Sequence, residues 1–170
     1  MNDECNYDLN SQQFEAIART VPGGAENVQD VYTLSALQEG MLFHRLLSED
    51  SDPYLLSTLF ELESADCANP LKEALQAVIA RHDALRTAVL WEGLPRPLQV
   101  VYRRAQLPFE TLTLAEDDNP HERLREMMRP QRQMLDLHQA PLARLQLVAD
   151  PQHARCYALL QVHHVVCDHQ

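Results

Sequence analysis

Two apolar runs near the end of the chain constrain its fold more than any other feature. Residues 143–149 and 156–166 are rich in aliphatic side chains, and the polar residues 150–153 separate them. Because strands joined by a short turn usually pair with each other, this spacing predicts two adjacent antiparallel strands. The second run is apolar on both faces, so we expect it to lie centrally in a sheet that helices cover.

Helical spacing of apolar residues predicts four helices. A short helix is expected over residues 11–20, and longer ones begin after Ser35, at Asn69-Pro70 and at Asn119-Pro120. The helix that begins at Asn69-Pro70 has its proline in the first turn, where a missing N–H is tolerated. We expect this helix and the residues after it to bury one side, made of Leu71, Leu75, Val78, Ile79, His82 and Leu85.

Strand-like composition marks the remaining segments. Residues 54–63, 87–91 and 98–103 are bounded by turn-forming residues, and residues 107–114 are expected to be extended. The second and third of these segments flank a Gly- and Pro-containing turn and therefore predict a hairpin. The whole pattern predicts an α/β (α+β) fold, a two-layer sandwich in which helices cover a mixed, largely antiparallel sheet.

Composition excludes several classes of protein. The chain has 170 residues, of which 45% are hydrophobic and 23% charged, enough to bury a core as one domain or part of one. The formal charge of -11 repels phosphate backbones and anionic lipid surfaces, so neither nucleic acid nor a membrane is an expected partner. No run approaches the roughly 20 apolar residues that a bilayer requires, and the N-terminus lacks a signal-peptide pattern, which predicts a cytoplasmic protein with reduced cysteines.

The densest group of chemically useful side chains follows the second apolar run. It contains His163, His164, Asp168 and His169. Successive side chains of a strand point to opposite faces, so only one of the adjacent histidines can address a given site, and His164 is the one placed to act as a general base. Two such histidines are, however, more often structural or exposed than catalytic. Zinc is a weaker alternative, because the spacing matches no standard zinc signature, and the sequence contains neither a GxSxG elbow nor a glycine-rich phosphate loop.

A second candidate segment covers residues 81–87, at the end of the helix that begins at Asn69-Pro70. The simpler interpretation is that its basic residues complement the helix dipole and face solvent. The functional alternative is that Arg86 turns inward and pairs with a buried carboxylate such as Asp168.

Three segments taken together resemble the condensation domains of non-ribosomal peptide synthetases, which belong to the chloramphenicol-acetyltransferase-like superfamily. Residues 32–44 resemble the opening motif of that family, residues 81–87 its second motif, and residues 163–168 its HHxxxDG active-site motif. The resemblance implies that residues 28–170 are a truncated N-terminal lobe of such a domain. It also implies that residues 1–27, with their short helix, resemble the linker that leads into it.

The resemblance implies an activity and a role for each candidate residue. The family joins two carrier-bound aminoacyl groups through an amide bond, and both substrates ride on phosphopantetheine arms of carrier proteins, with no cofactor or metal bound directly. His164 corresponds to the catalytic histidine and His163 to its structural neighbour. Asp168 is expected to support the active-site loop through an ion pair with Arg86.

Two departures from the family pattern qualify this expectation. His169 stands where the motif has glycine, and the sequence given ends at Gln170, before the second lobe that would complete the reaction channel. The expected partners are therefore carrier proteins and a C-terminal lobe, and the isolated chain is expected to be inactive. The alternatives are a non-catalytic module that binds carrier proteins and a globular metal-binding protein.

Overall fold

The computed structural model describes residues 9–48, 51–115, 119–129, 134–150 and 155–166. The described part of the chain contains four α-helices and seven strands. The helices are α1 (Ser11–Thr20), α2 (Ala36–Leu47), α3 (Ala68–Arg81) and α4 (Pro120–Met127). The strands are β1 (Val28–Thr33), β2 (Leu55–Leu62), β3 (Thr87–Leu90), β4 (Leu98–Tyr102), β5 (Phe109–Thr113), β6 (Ala143–Asp150) and β7 (Arg155–His163).

The strands form two sheets. In the larger sheet the order is β2-β7-β6-β5, and β7 pairs antiparallel with both of its neighbours, whereas β5 runs parallel to β6. The smaller sheet has the order β1-β4-β3 and is antiparallel throughout. The predicted α/β class, the β6–β7 pair and the central position of β7 are confirmed. The division into two sheets depends on long-range pairing that the sequence pattern does not predict.

The main hydrophobic core joins both sheets to α1 and α3. Leu98 and Val100 of β4 and Leu145 of β6 are completely buried in it, and Ile79 of α3 is 4% exposed. Ile17 of α1 belongs to the same core and is 1% exposed. The short N-terminal helix therefore packs directly on the body of the protein.

The buried side of α3 is narrower than the sequence predicts. Leu71, Leu75 and Ile79, spaced four residues apart, pack on the core. Val78, about 100° around the helix from Ile79, is instead 45% exposed at the edge of this side. The prediction is also wrong for His82, which is exposed and extended because α3 ends at Arg81.

Two helix starts follow from local sequence and are confirmed. Ser35 caps α2 and Asn10 caps α1, and in each case the glutamine three residues later completes a capping box. None of the helices in the described residues is long and apolar enough to cross a bilayer.

Candidate active site

The adjacent histidines lie where β7 ends and a short 3-10 turn begins. His163 is the last residue of the strand and is completely buried, whereas His164 opens the turn His164–Val166 and is half-buried. The two imidazoles therefore occupy different environments, as the alternation of side chains along a strand requires.

His163 contacts a carboxylate that the sequence analysis did not select. Oδ2 of Asp52 lies 3.2 Å from Nε2 of His163 and 3.2 Å from Nε of Arg45, and both Asp52 and His163 are buried. These nitrogens approach the oxygen within ion-pair distance, without the alignment of a strong hydrogen bond. The other carboxylate oxygen, Oδ1, accepts a hydrogen bond of 3.0 Å from the N–H of Tyr54. One carboxylate thus joins α2, the segment before β2 and the end of β7.

The charge of Asp52 is favoured by these contacts. Burial by itself raises the pKa of this carboxyl, but the contacts with His163, the Tyr54 N–H and the charge of Arg45 outweigh burial and hold the pKa below its ordinary value of 3.8. Asp52 is therefore a carboxylate at neutral pH, although it is buried.

The turn that begins at His164 is fixed by hydrogen bonds to three different segments. The N–H of His164 donates to the carbonyl of Tyr54 over 2.8 Å, and the N–H of Val165 donates to Nδ1 of His163 over 3.1 Å. The carbonyl of Val165 accepts a hydrogen bond of 2.9 Å from Nε2 of Gln38, on the first turn of α2. A half-buried imidazole on a turn held in this way can accept a proton or orient a nucleophile with little loss of freedom.

Apolar packing supports the same turn. Val165 is 5% exposed and belongs to a second hydrophobic cluster with Leu34, Met41 and Leu42. Beside this cluster, Nδ1 of His44 lies 2.6 Å from the hydroxyl of Tyr54, and the two rings are stacked. Helix α2 thus provides both polar and apolar contacts to the end of β7.

Arg86 turns inward, as the functional alternative for residues 81–87 expects. It is 5% exposed, and its guanidinium donates to Oε1 of Gln29 over 2.8 Å, to the carbonyl of Tyr102 and to the carboxylate of Asp83. Arg81 at the end of α3 is exposed, so the solvent-facing interpretation applies to it and not to Arg86. The predicted partner Asp168 lies outside the described residues, and the pair stays a prediction.

The described residues offer no metal centre, and the thiol of Cys156 is not activated. Within them, no group of three or more His, Cys, Asp or Glu side chains is placed to hold a metal ion, and Asp168 and His169 lie outside them. Cys67 and Cys156 are free thiols. Burial, together with the nearby Cys67, raises the pKa of the Cys156 thiol, which disfavours the thiolate that a nucleophile needs.

Sequence reasoning missed Asp52, Arg45, Tyr54 and Gln38 as parts of this site. Asp52 precedes Pro53, and that pair indicated only the boundary of a strand. Ser35 is the expected start of α2, and Gln38 lies within residues 32–44, which resemble the family's opening motif, but neither observation predicts the contact of the Gln38 side chain with Val165. No local signal in the sequence identifies the contacts of Asp52, Tyr54 and Gln38 with the end of β7, because each contact joins segments far apart along the chain. Arg45 enters the site only through Asp52.

A protein-family model and the sequences of known proteins both resemble this chain over most of its length. Residues 28–169 match the family model described as "Condensation domain". The chain is 40% identical to malpinin synthetase of Mortierella alpina over 163 residues and 32% identical to tyrocidine synthase 2 of Brevibacillus parabrevis over 146 residues. These matches cover 95% and 84% of this chain, but only 2% and 4% of the two synthetases. The chain therefore spans a small part of the length of the curated relatives that it matches.

Solved structures share the fold. A four-domain nonribosomal peptide synthetase bound to AMP and glycine matches 83% of this chain with a TM-score of 0.69 at 19% identity, over 11% of its own length. The starter condensation domain of rhizomide synthetase matches 81% of this chain with a TM-score of 0.65 at 24% identity, over 34% of its own length. At these identities the likeness shows the fold alone.

Proposed function

The chain belongs to the condensation-domain family of non-ribosomal peptide synthetases, and we propose that it supplies the N-terminal lobe of a domain that joins two carrier-bound aminoacyl groups through an amide bond. In this proposal residues 28–170 form the lobe and residues 1–27 lead into it. The observation that carries the proposal is the position of His164, on a fixed turn at the end of the central strand β7. The matching of residues 28–169 to the family model supports it.

The proposed reaction needs one proton acceptor and two bound thioesters. The amine of the acceptor attacks the carbonyl carbon of the donor thioester, the C–N bond forms, the C–S bond breaks, and the phosphopantetheine thiol leaves. His164 hydrogen-bonds or deprotonates the attacking amine and returns the proton to the leaving sulfur. His163 has a structural role in this scheme, and Asp168 with Arg86 supports the loop.

The proposed partners of this chain are two carrier proteins and a C-terminal lobe. Helix α2, which contacts the active-site turn, also has an exposed apolar surface: Leu37, Phe43, Leu46 and Leu47 are each more than half exposed. An exposed group of large apolar side chains marks a surface that another body covers, and the second lobe is the proposed occupant. The cytoplasmic location expected from the sequence stays a prediction.

Reconstitution of the domain tests the proposed function. The chain is mixed with the C-terminal lobe of the matching malpinin synthetase domain and with two loaded carrier proteins, and dipeptidyl thioester is measured by mass spectrometry. Product is expected from the mixture and not from the chain alone. His164→Ala is expected to lower the rate by about 10²–10⁴-fold, as is usual for the loss of a general base.

A matched control separates catalysis from damage to the fold. His138→Ala removes a half-buried histidine that lies outside both candidate segments and is expected to leave the rate unchanged. A mixture that forms a complex and binds both carriers without making product would refute condensation and favour a non-catalytic module that binds carrier proteins.

A further inference from the structure

We propose that Asp52, together with Arg45, is a positioning residue that fixes the tautomer of His163 and through it the turn that presents His164. The catalytic part of this inference rests on the proposed function. The structural part does not, because it concerns groups that contact one another in the chain itself. Asp52 does not touch the reacting atoms and acts only through its neighbours.

The buried carboxylate of Asp52 needs partners that compensate for the loss of its solvation. Asp52 and His163 have completely buried side chains, and Arg45 is 18% exposed. A buried charge is unfavourable unless it is paired and hydrogen-bonded, so Asp52 is stable here only with its present partners. Its two oxygens are divided between two tasks: Oδ1 accepts from the N–H of Tyr54, and Oδ2 faces Arg45 and His163.

The hydrogen bond from Val165 determines which nitrogen of His163 carries the proton. The N–H of Val165 donates to Nδ1, so Nδ1 has no proton, and in the neutral ring the proton lies on Nε2, 3.2 Å from the carboxylate of Asp52. In the other tautomer an N–H of the ring would face the N–H of Val165, and a bare nitrogen would face the carboxylate. Both contacts would then be repulsive. Asp52 therefore favours the single tautomer that can hold Val165.

The same carboxylate orders the second support of the turn. Through Oδ1 it holds the backbone of Tyr54, whose carbonyl accepts the N–H of His164. The His164 and Val165 amides thus both depend on Asp52, one through Tyr54 and the other through His163. Loss of the carboxylate is expected to loosen the start of the turn at two points simultaneously.

Nitrogen-15 NMR of the histidine rings tests the structural part on the chain as it is. With 15N-labelled histidine, the wild-type spectrum is expected to show His163 as the Nε2–H tautomer. The ring signals of His163 are identified because they disappear in His163→Gln. Asp52→Ala is expected to give a mixture of tautomers and to shift the amide signals of His164 and Val165. Asp52→Asn retains an acceptor oxygen and is expected to restore most of the Nε2–H tautomer.

Clear outcomes would overturn the inference. An Nδ1–H tautomer of His163 in the wild type would overturn it, and this measurement does not depend on whether any variant folds. A folded Asp52→Ala chain with an unchanged His163 tautomer and unchanged turn amides would do so as well. Asp136→Asn is the matched control, because Asp136 also contacts a histidine, His138, but is 62% exposed and lies outside the site.

Kinetics of the reconstituted domain test the catalytic part. Asp52→Ala is expected to lower kcat at least tenfold while KM for the loaded carriers changes less than twofold, and Asp52→Asn is expected to recover most of kcat. An equal loss of kcat in Asp136→Asn, or a change confined to KM, would refute a positioning role. If the wild-type mixture makes no product, the proposed function fails, and the NMR result still decides the structural part.

Discussion

Gln38 donates a hydrogen bond of 2.9 Å from Nε2 to the carbonyl of Val165, a residue 127 positions later in the sequence. The same Nε2 lies 2.9 Å from Oε1 of Gln99, and Oε1 of Gln38 accepts the N–H of Ser35. One amide side chain therefore completes the cap of α2 and fixes the turn next to His164. A helix start and the candidate active site thus share a residue.

Substitution of Gln38 by glutamate is expected to separate these two roles. Glutamate keeps the acceptor that caps α2 but removes the donor to Val165 and places a negative oxygen near a carbonyl. We expect a loss of about 1–3 kcal/mol in the free energy of unfolding, measured by urea denaturation. Gln13→Glu is the control, since Gln13 occupies the same capping-box position in α1, where its acceptor oxygen receives the N–H of Asn10 and, within the described residues, no contact joins its side chain to the turn at His164. Equal effects of the two substitutions would contradict the role of Gln38 in the turn.

Acid is expected to remove the contribution of Asp52 to stability. Because the folded-state pKa of Asp52 is lowered, the stabilisation is fully present above the ordinary value of 3.8 and is lost as the pH falls through the folded-state pKa. Asp52→Asn has no such charge at any pH. The difference in unfolding free energy between wild type and Asp52→Asn is therefore expected to be largest near neutral pH and to shrink below pH 3.8. A difference that grows in acid would show that the pKa is raised instead.

A double-mutant cycle tests whether Arg86 pairs with Asp168. The variants are Arg86→Met, Asp168→Asn and their combination, and unfolding free energies are measured for all of them. Arg86→Met is expected to cost about 1–3 kcal/mol, because it leaves the buried carbonyl of Tyr102 without its charged donor. If the predicted pair exists, the combined loss falls short of the sum by at least about 0.5 kcal/mol. Additive losses would instead leave Asp83 as the relevant partner of Arg86.

Alkaline titration is expected to distinguish Tyr102 from exposed tyrosines. Burial raises the pKa of Tyr102 from 10.0 to about 12, because the phenolate cannot be solvated in the core. The neutral phenol thus stabilises the fold below pH 10.0, and this contribution of about 2–3 kcal/mol is lost as the pH rises from 10.0 to about 12.

Comparison of wild type with Tyr102→Phe isolates the loss of stability that the ionisation of Tyr102 causes. Phenylalanine removes the ionisation but also the hydrogen bond of 3.0 Å from the hydroxyl to the carbonyl of His138. The variant is expected to be less stable at neutral pH by about 1 kcal/mol and to lose less stability than wild type in strong alkali. Ultraviolet difference spectra that show every tyrosine ionising near pH 10 would contradict this expectation.

Local sequence patterns determined much of the secondary structure of this protein. Ser35 and Asn10 mark helix starts because a cap and its glutamine are three residues apart, and the β6–β7 pair follows from two apolar runs with a short connection. The order of the motif-like segments was enough to indicate the family, and His163 and His164 were identified from their position at the end of a strand.

Only the tertiary structure determined what surrounds those histidines. The positions of Asp52, Arg45 and Gln38 depend on how α2 and the start of β2 pack against the end of β7, and no periodicity in the sequence encodes that packing. The exposure of Val78 likewise depends on which side of α3 meets the core. Local sequence fixes helix and strand because their hydrogen bonds and side-chain periods are short-range. A buried carboxylate acquires its partners only when segments far apart in the chain pack against one another and exclude water.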